Sequence, residues 1–146
     1  MRMGRRTGMA VVLVIAMASC ASVPAPLAPD AYRLEILDNP AEHRFDVVLR
    51  SHHDRALCVY RDDWPTSKGT LFVENPEVYL DTASARLPLK SPFSSVYCPG
   101  GCGYVRVEPR GELSGFFAYG AFEAADRIAS DTSRRLHFSV SPTLCR

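Results

Sequence analysis

An all-β domain is the fold class this sequence predicts, and three observations predict it. Eight short apolar or alternating runs recur between residues 32 and 141. Proline, glycine, asparagine and aspartate fill the gaps between them, as in sandwiches and barrels built from short strands. No long segment sustains the 3.6-residue apolar period of an amphipathic helix.

The first two runs, 32–37 (YRLEIL) and 44–50 (RFDVVLR), are bounded by the turn-forming DNPAEH and SHHD. Next come 56–60 (ALCVY), 70–74 (TLFVE) and 78–80 (VYL), separated by RDDWPTSKG and NP. The last three are 103–107 (GYVRV), 114–122 (SGFFAYGAF) and 134–141 (RRLHFSVS). One stretch departs from the strand grammar: residues 121–130 (AFEAADRIAS) suit a helical turn or two. Within VRVEPRGELSGFFAY, a strand carrying Val105 and Val107 meets a Pro-Arg-Gly turn, and a second strand sets Phe117 and Tyr119 on one face. Pro109 presets φ near −65°, and Gly111 is the expected carrier of a positive φ. Strand, PxGE, strand resembles many small immunoglobulin-like bacterial envelope domains. The resemblance implies an immunoglobulin-like antiparallel β-sandwich over residues 32–146.

Ahead of that domain the chain reads as a targeting segment. Arg2, Arg5 and Arg6 form a positive start, and residues 9–18 are an unbroken apolar run of ten. A bilayer-spanning helix needs roughly 20 apolar residues, so the run has the length of a signal-peptide core instead. Ala16-Met17-Ala18 suits ordinary secretory cleavage. Met17-Ala18-Ser19-Cys20 resembles the lipobox of bacterial lipoproteins, with Met17 where the family usually has Leu, Val or Ile. That resemblance implies lipid on Cys20, palmitate included, and Ala21 in place of Asp implies outer-membrane sorting, on the periplasmic face. The expected organisation is a signal peptide over 1–19, a lipidated cysteine and Pro/Ala-rich linker over 20–31, and the β-domain over 32–146. Three prolines in ASVPAPLAPDA favour an extended linker, at about 3.1 Å per residue.

Five cysteines become four when Cys20 is assigned to lipid: Cys58, Cys98, Cys102 and Cys145. An envelope compartment is oxidising, so these are expected as disulfides. Three pairings exist for four cysteines. A Pro-Gly-Gly spacer brings Cys98 and Cys102 within bridging reach, which leaves Cys58 for Cys145. The rival reading is a periplasmic metal-handling protein using His52, His53, Cys98 and Cys102. Against it, adjacent histidines on a strand face opposite ways, and an oxidising compartment competes for the thiols. A redox pair is disfavoured because the spacer is three residues long and GYVRV behind it reads as strand rather than helix.

No catalytic motif is present: no G-x-S-x-G, no H-E-x-x-H and no phosphate-binding glycine loop. Asp62 and Asp63 are adjacent and have no reason to converge on one bond, and His43 and His137 stand alone. Without residues 1–19 the chain keeps 14 basic and 16 acidic groups, a net charge of about −2. Nucleic-acid binders want a clearly basic face, so that class is disfavoured. Trp64, the single tryptophan, lies in DDWPTSKGTLFV (62–73) as either a recognition residue or a plug at one end of the domain. The expected protein is therefore a non-enzymatic envelope lipoprotein without a cofactor. It holds the membrane through Cys20 and presents a disulfide-stapled module to another envelope protein. A secreted-enzyme inhibitor is a further reading that rests on the fold alone. Replacing Cys20 with Ala should move the protein from the membrane to the soluble fraction with its melting curve unchanged, as fractionation and circular dichroism would read; continued membrane association would refute lipidation at Cys20.

Overall fold

The computed structural model describes residues 27–99, 101–123 and 125–146. The expected signal segment, Cys20 and the linker up to Pro26 lie outside the described residues. The chain forms β1 (Tyr32–Asn39), β2 (Arg44–Ser51), β3 (Leu57–Tyr60), β4 (Tyr79–Asp81), β5 (Arg86–Pro88), β6 (Tyr104–Val107), β7 (Glu112–Ala118), a single helix α1 (Ala125–Ser130), β8 (Arg135–His137) and β9 (Thr143–Leu144). These make three antiparallel three-stranded sheets, ordered β1-β2-β7, β6-β3-β9 and β5-β4-β8. The protein is all-β in this sense: three small antiparallel sheets and little helix.

The strongest alternation in the sequence becomes the central strand. Phe45, Val47, Leu49 and Ser51 of β2 are buried while the residues between them are more exposed, the period of two that places one face on a core. β1 joins it in register from Tyr32↔Ser51 to Asn39↔Arg44. The hairpin closes through a short 3-10 turn, Pro40–Glu42, where the Asn39 side chain accepts the Glu42 N–H at 3.3 Å. Leu57 and Val59 of β3, Leu80 of β4 and Leu136 of β8 complete a core that runs through all three sheets.

The structure differs from the sequence expectation at several places, among them β9 (Thr143–Leu144), which lies beyond the last expected run. Residues 70–74 do not make a strand; Val73 forms only an isolated parallel bridge with Phe93. This segment is a strap held at both ends: at its start the Ala118 N–H donates to Gly69 O at 2.9 Å and Thr70 Oγ1 donates to Lys90 O at 2.5 Å, and at its end the Glu74 N–H donates to Phe93 O at 2.9 Å. Conversely β5 is a strand that its short Arg-Leu-Pro sequence did not announce, because Pro88 sits at its end, where the missing N–H costs nothing. The run at 134–141 pairs only over Arg135–His137, after which Phe138 and Val140 bury themselves without a ladder. Finally, the turn after β6 takes positive φ at Arg110 (57°) and not at Gly111. The Gly111 N–H closes onto Glu108 O at 2.9 Å, so Gly111 is the fourth residue of the turn and the left-handed third place falls to Arg110. This turn also carries the chain from the second sheet to the first, since β6 pairs with β3 and β7 with β2.

Among the described residues two disulfides are present, Cys58–Cys145 and Cys98–Cys102. The first joins β3 to the residue after β9, beside the Cys145 N–H bond to Ala56 O at 3.1 Å. It closes a sequence separation of 87 against 4 for the second. In the chain-entropy account these loops are worth about 4.5 and about 2 kcal/mol respectively.

A charged clamp ties the first sheet to the helix and the third. Arg134, only 5% exposed, pairs with Asp38 of β1 at 2.9 Å through Nη2 and donates to the Tyr119 hydroxyl at 2.8 Å through Nε. Its Nη1 reaches Ile128 O at 3.2 Å in the last turn of α1 and Asp131 O at 2.7 Å just after it. The Tyr119 hydroxyl in turn donates to Asp38. Burial, with the Asp38 hydrogen bond and charge adding, pushes the Tyr119 hydroxyl up to about 12. Replacing Arg134 with Met should lower stability by roughly 3 kcal/mol, the low end for breaking a buried pair because Asp38 keeps some solvent contact. Urea unfolding checks this; an unchanged midpoint would show that the clamp contributes nothing.

Candidate functional site

The loop before β6 is shaped by its spacer. The Gly101 N–H donates to Cys98 O at 2.9 Å, and Gly101 and Gly103 take φ of 93° and 87°, values that side chains rarely tolerate. On the facing segment, β3 ends in a 3-10 turn, Arg61–Asp63. The Arg61 N–H donates to Gly103 O at 3.1 Å and stitches that turn to the disulfide loop. Burial, with Asp62 adding, raises the Asp63 carboxyl above the usual carboxylate range.

Trp64 follows and turns inward. It is 5% exposed and meets Phe138 edge-on, with ring centres 6.0 Å apart. Gly115 of β7 makes this approach possible: a Cβ there would lie 2.8 Å from Pro65 Cγ and 2.9 Å from Trp64 Nε1. The indole thus fills the core, and one edge remains as the wall of a cleft of about 420 Å³. Asp62, Phe72, Val105 and the Cys98–Cys102 bridge line the same cleft. Apolar side chains continue beyond its mouth. Phe72 (40% exposed) and Phe93 (47%) pair at 4.9 Å, and Tyr97 beside Cys98 is 89% exposed. The Glu74 N–H bond to Phe93 O at 2.9 Å holds the two aromatic segments together. Tyr60 and Tyr104 form a second exposed pair, 4.7 Å apart, where β3 and β6 are in register.

The residues of the metal reading do not assemble as the sequence suggested. His52 Nδ1 stands 3.2 Å from Asp30 O, and His53 Nδ1 accepts the Arg55 N–H at 2.9 Å. Both serve the bend after β2. Among the described residues, one group of three potential ligand atoms lies within 4.8 Å of one another: Asp62, Cys98 and Cys102. Neither histidine belongs to it, and both sulfurs are joined in the disulfide.

Two clusters that sequence reading missed involve its lone histidines. His43 stacks on Tyr119, ring centres 5.9 Å apart, next to the Arg134 clamp. On the third sheet, His137 Nε2 lies 2.9 Å from Asp81, Arg86 donates to the same carboxylate at 2.9 Å, and Tyr79 stacks between the His137 ring and the Arg86 guanidinium. The Arg86 hydrogen bond holds the Asp81 carboxyl below its usual range. Sequence offered no signal for either set, because the members come from segments far apart in the chain.

No family model, no curated protein and no solved structure matches the chain. Among the described residues no helix is long and apolar enough to cross a membrane.

Trp64→Ala should cost about 3–5 kcal/mol, as removal of a buried indole does. Tyr97→Ala, at a fully solvated position, should stay within about 0.5 kcal/mol of the parent. Thermal and urea unfolding of the two variants check the contrast; normal stability in Trp64→Ala would make the tryptophan a surface residue in solution.

Proposed function

We propose that this chain is a non-enzymatic envelope lipoprotein, held on the outer membrane by lipid on Cys20, whose β-domain docks another envelope protein. One observation carries the docking reading: exposed aromatic side chains lie at the cleft and next to it, with Phe72 lining it, Phe93 paired with Phe72, and Tyr97 preceding Cys98 in the loop. Phe72, Phe93 and Tyr97 leave there a set of apolar groups that a monomer has no internal reason to expose, and aromatic side chains dominate the energetics of protein contacts. The strap and the small disulfide support the reading by holding the aromatics in place, which lowers the entropy lost on binding. The anchor rests on residues 1–20, with their basic start, ten-residue apolar run and Met17-Ala18-Ser19-Cys20.

An immunoglobulin-like layout belongs to the same proposal. In its favour are the antiparallel pairing within all three sheets and a turn, residues 108–111, that passes the chain between sheets as sandwich connections do.

A photo-crosslinking residue at position 97, introduced into the full chain in intact cells, should give one discrete protein adduct that weakens in Phe72→Ala/Phe93→Ala. The same probe at Arg33, exposed on β1, should give none. No adduct at 97, or equal adducts at both positions, would remove the aromatic face as a docking surface.

A further inference from the structure

We infer that the Cys98–Cys102 loop is a reduction-gated zinc site, with Asp62 as its third ligand and a water or partner group in the fourth position. The potential ligand atoms of these three residues already lie within 4.8 Å of one another. A tetrahedral zinc with Zn–S near 2.3 Å and Zn–O near 2.1 Å separates its ligand atoms by about 3.5–3.8 Å, so only small shifts are required once the sulfurs part. The two segments that supply the ligands are locked together beside them by the Arg61 N–H bond to Gly103 O at 3.1 Å. Gly101 and Gly103 give the loop the freedom to let the sulfurs separate. The cleft lined by Trp64, Phe72 and Val105 opens onto all three ligands and provides the entry path and a dry wall.

Two thiolates and one carboxylate form a donor set suited to Zn²⁺, and three protein ligands leave one place open. A three-residue spacer between the cysteines falls within the usual ligand spacing of zinc loops. The sequence reading supplied the thiols but paired them with His52 and His53; the fold puts Asp62 there instead. The bridge is suited to opening because it closes a separation of 4 in a loop, whereas Cys58–Cys145 staples paired strands.

The chemistry balances with a dithiol donor. One donor thiolate attacks a sulfur of the bridge, the S–S bond breaks and a mixed disulfide forms. The second donor sulfur displaces it, so the donor is oxidised to its own disulfide and Cys98 and Cys102 take two electrons and two protons. Zinc then replaces those two protons, which leave to solvent, and forms two Zn–S bonds and one Zn–O bond.

The test uses the full chain carrying Cys20→Ala, so that the remaining cysteine thiol does not compete. Limiting phosphine reductant should open Cys98–Cys102 first, with Cys58–Cys145 intact by non-reducing peptide mapping. That form should bind one equivalent of zinc against a chromophoric chelator, and with cobalt it should show thiolate-to-metal charge-transfer absorption. The oxidised protein and reduced Cys98→Ser/Cys102→Ser should bind none. Asp62→Asn, tested in the same reduced state, should weaken zinc by roughly tenfold or more and keep the cobalt–thiolate band. The inference is overturned if Cys58–Cys145 opens first, if the reduced parent takes up no zinc, if the double-serine variant binds as the parent does, or if Asp62→Asn binds zinc unchanged. None of these outcomes bears on the docking face, which the crosslinking probes test separately.

Discussion

Arg134 is the constraint on which the arrangement of sheets depends. Its guanidinium is nearly excluded from water, so every N–H it carries has to find an oxygen in the protein. The partners come from β1 (Asp38), from the turn after β7 (Tyr119) and from the carbonyls that end α1. The first sheet, the helix and the entry to β8 are thereby fixed by one side chain. The planar fork of arginine makes this possible; a lysine ammonium offers no comparable set of directions. Tyr119 belongs to the same unit, packed on Phe45 and stacked against His43 while its hydroxyl bridges Asp38 and Arg134.

At the other side of the domain the core is closed by Trp64, and the closure explains the neighbouring loop. A glycine at position 115 opens the surface of β7 so that the indole and Pro65 lie directly on the backbone. The strap through residues 70–74 runs past them without joining a ladder, with one isolated bridge between Val73 and Phe93. It projects Phe72 outward while Leu71 remains in the core. The exposed aromatic surface is in this way a consequence of how the core is capped. Trp64 is buried as a plug, and its edge lines the cleft.

The Cys98–Cys102 loop and the Arg61–Asp63 turn meet at that same edge. A short bridge in a glycine-rich loop contributes little to the domain's stability compared with Cys58–Cys145, so its place beside a carboxylate and an apolar cleft invites a chemical rather than a structural account. The proposed docking face and the inferred zinc site share this location.

Much of the fold was legible in the residues themselves. Alternation in RFDVVLR was sufficient to identify β2 and its buried face, and the spacing of four cysteines was sufficient to favour the local pair and leave the distant one. The helix at 125–130 was legible as the one break in strand grammar. These features are local, decided by the period of side chains along a strand or by the reach of a few tethered residues. The division into three sheets, the strap in place of a strand at 70–74, and the meeting of Asp62 with Cys98 and Cys102 were decided by the tertiary structure. Each depends on which distant segment supplies a hydrogen-bond partner or a wall. A lone arginine or histidine carries no mark of that partner until the chain has brought the two together.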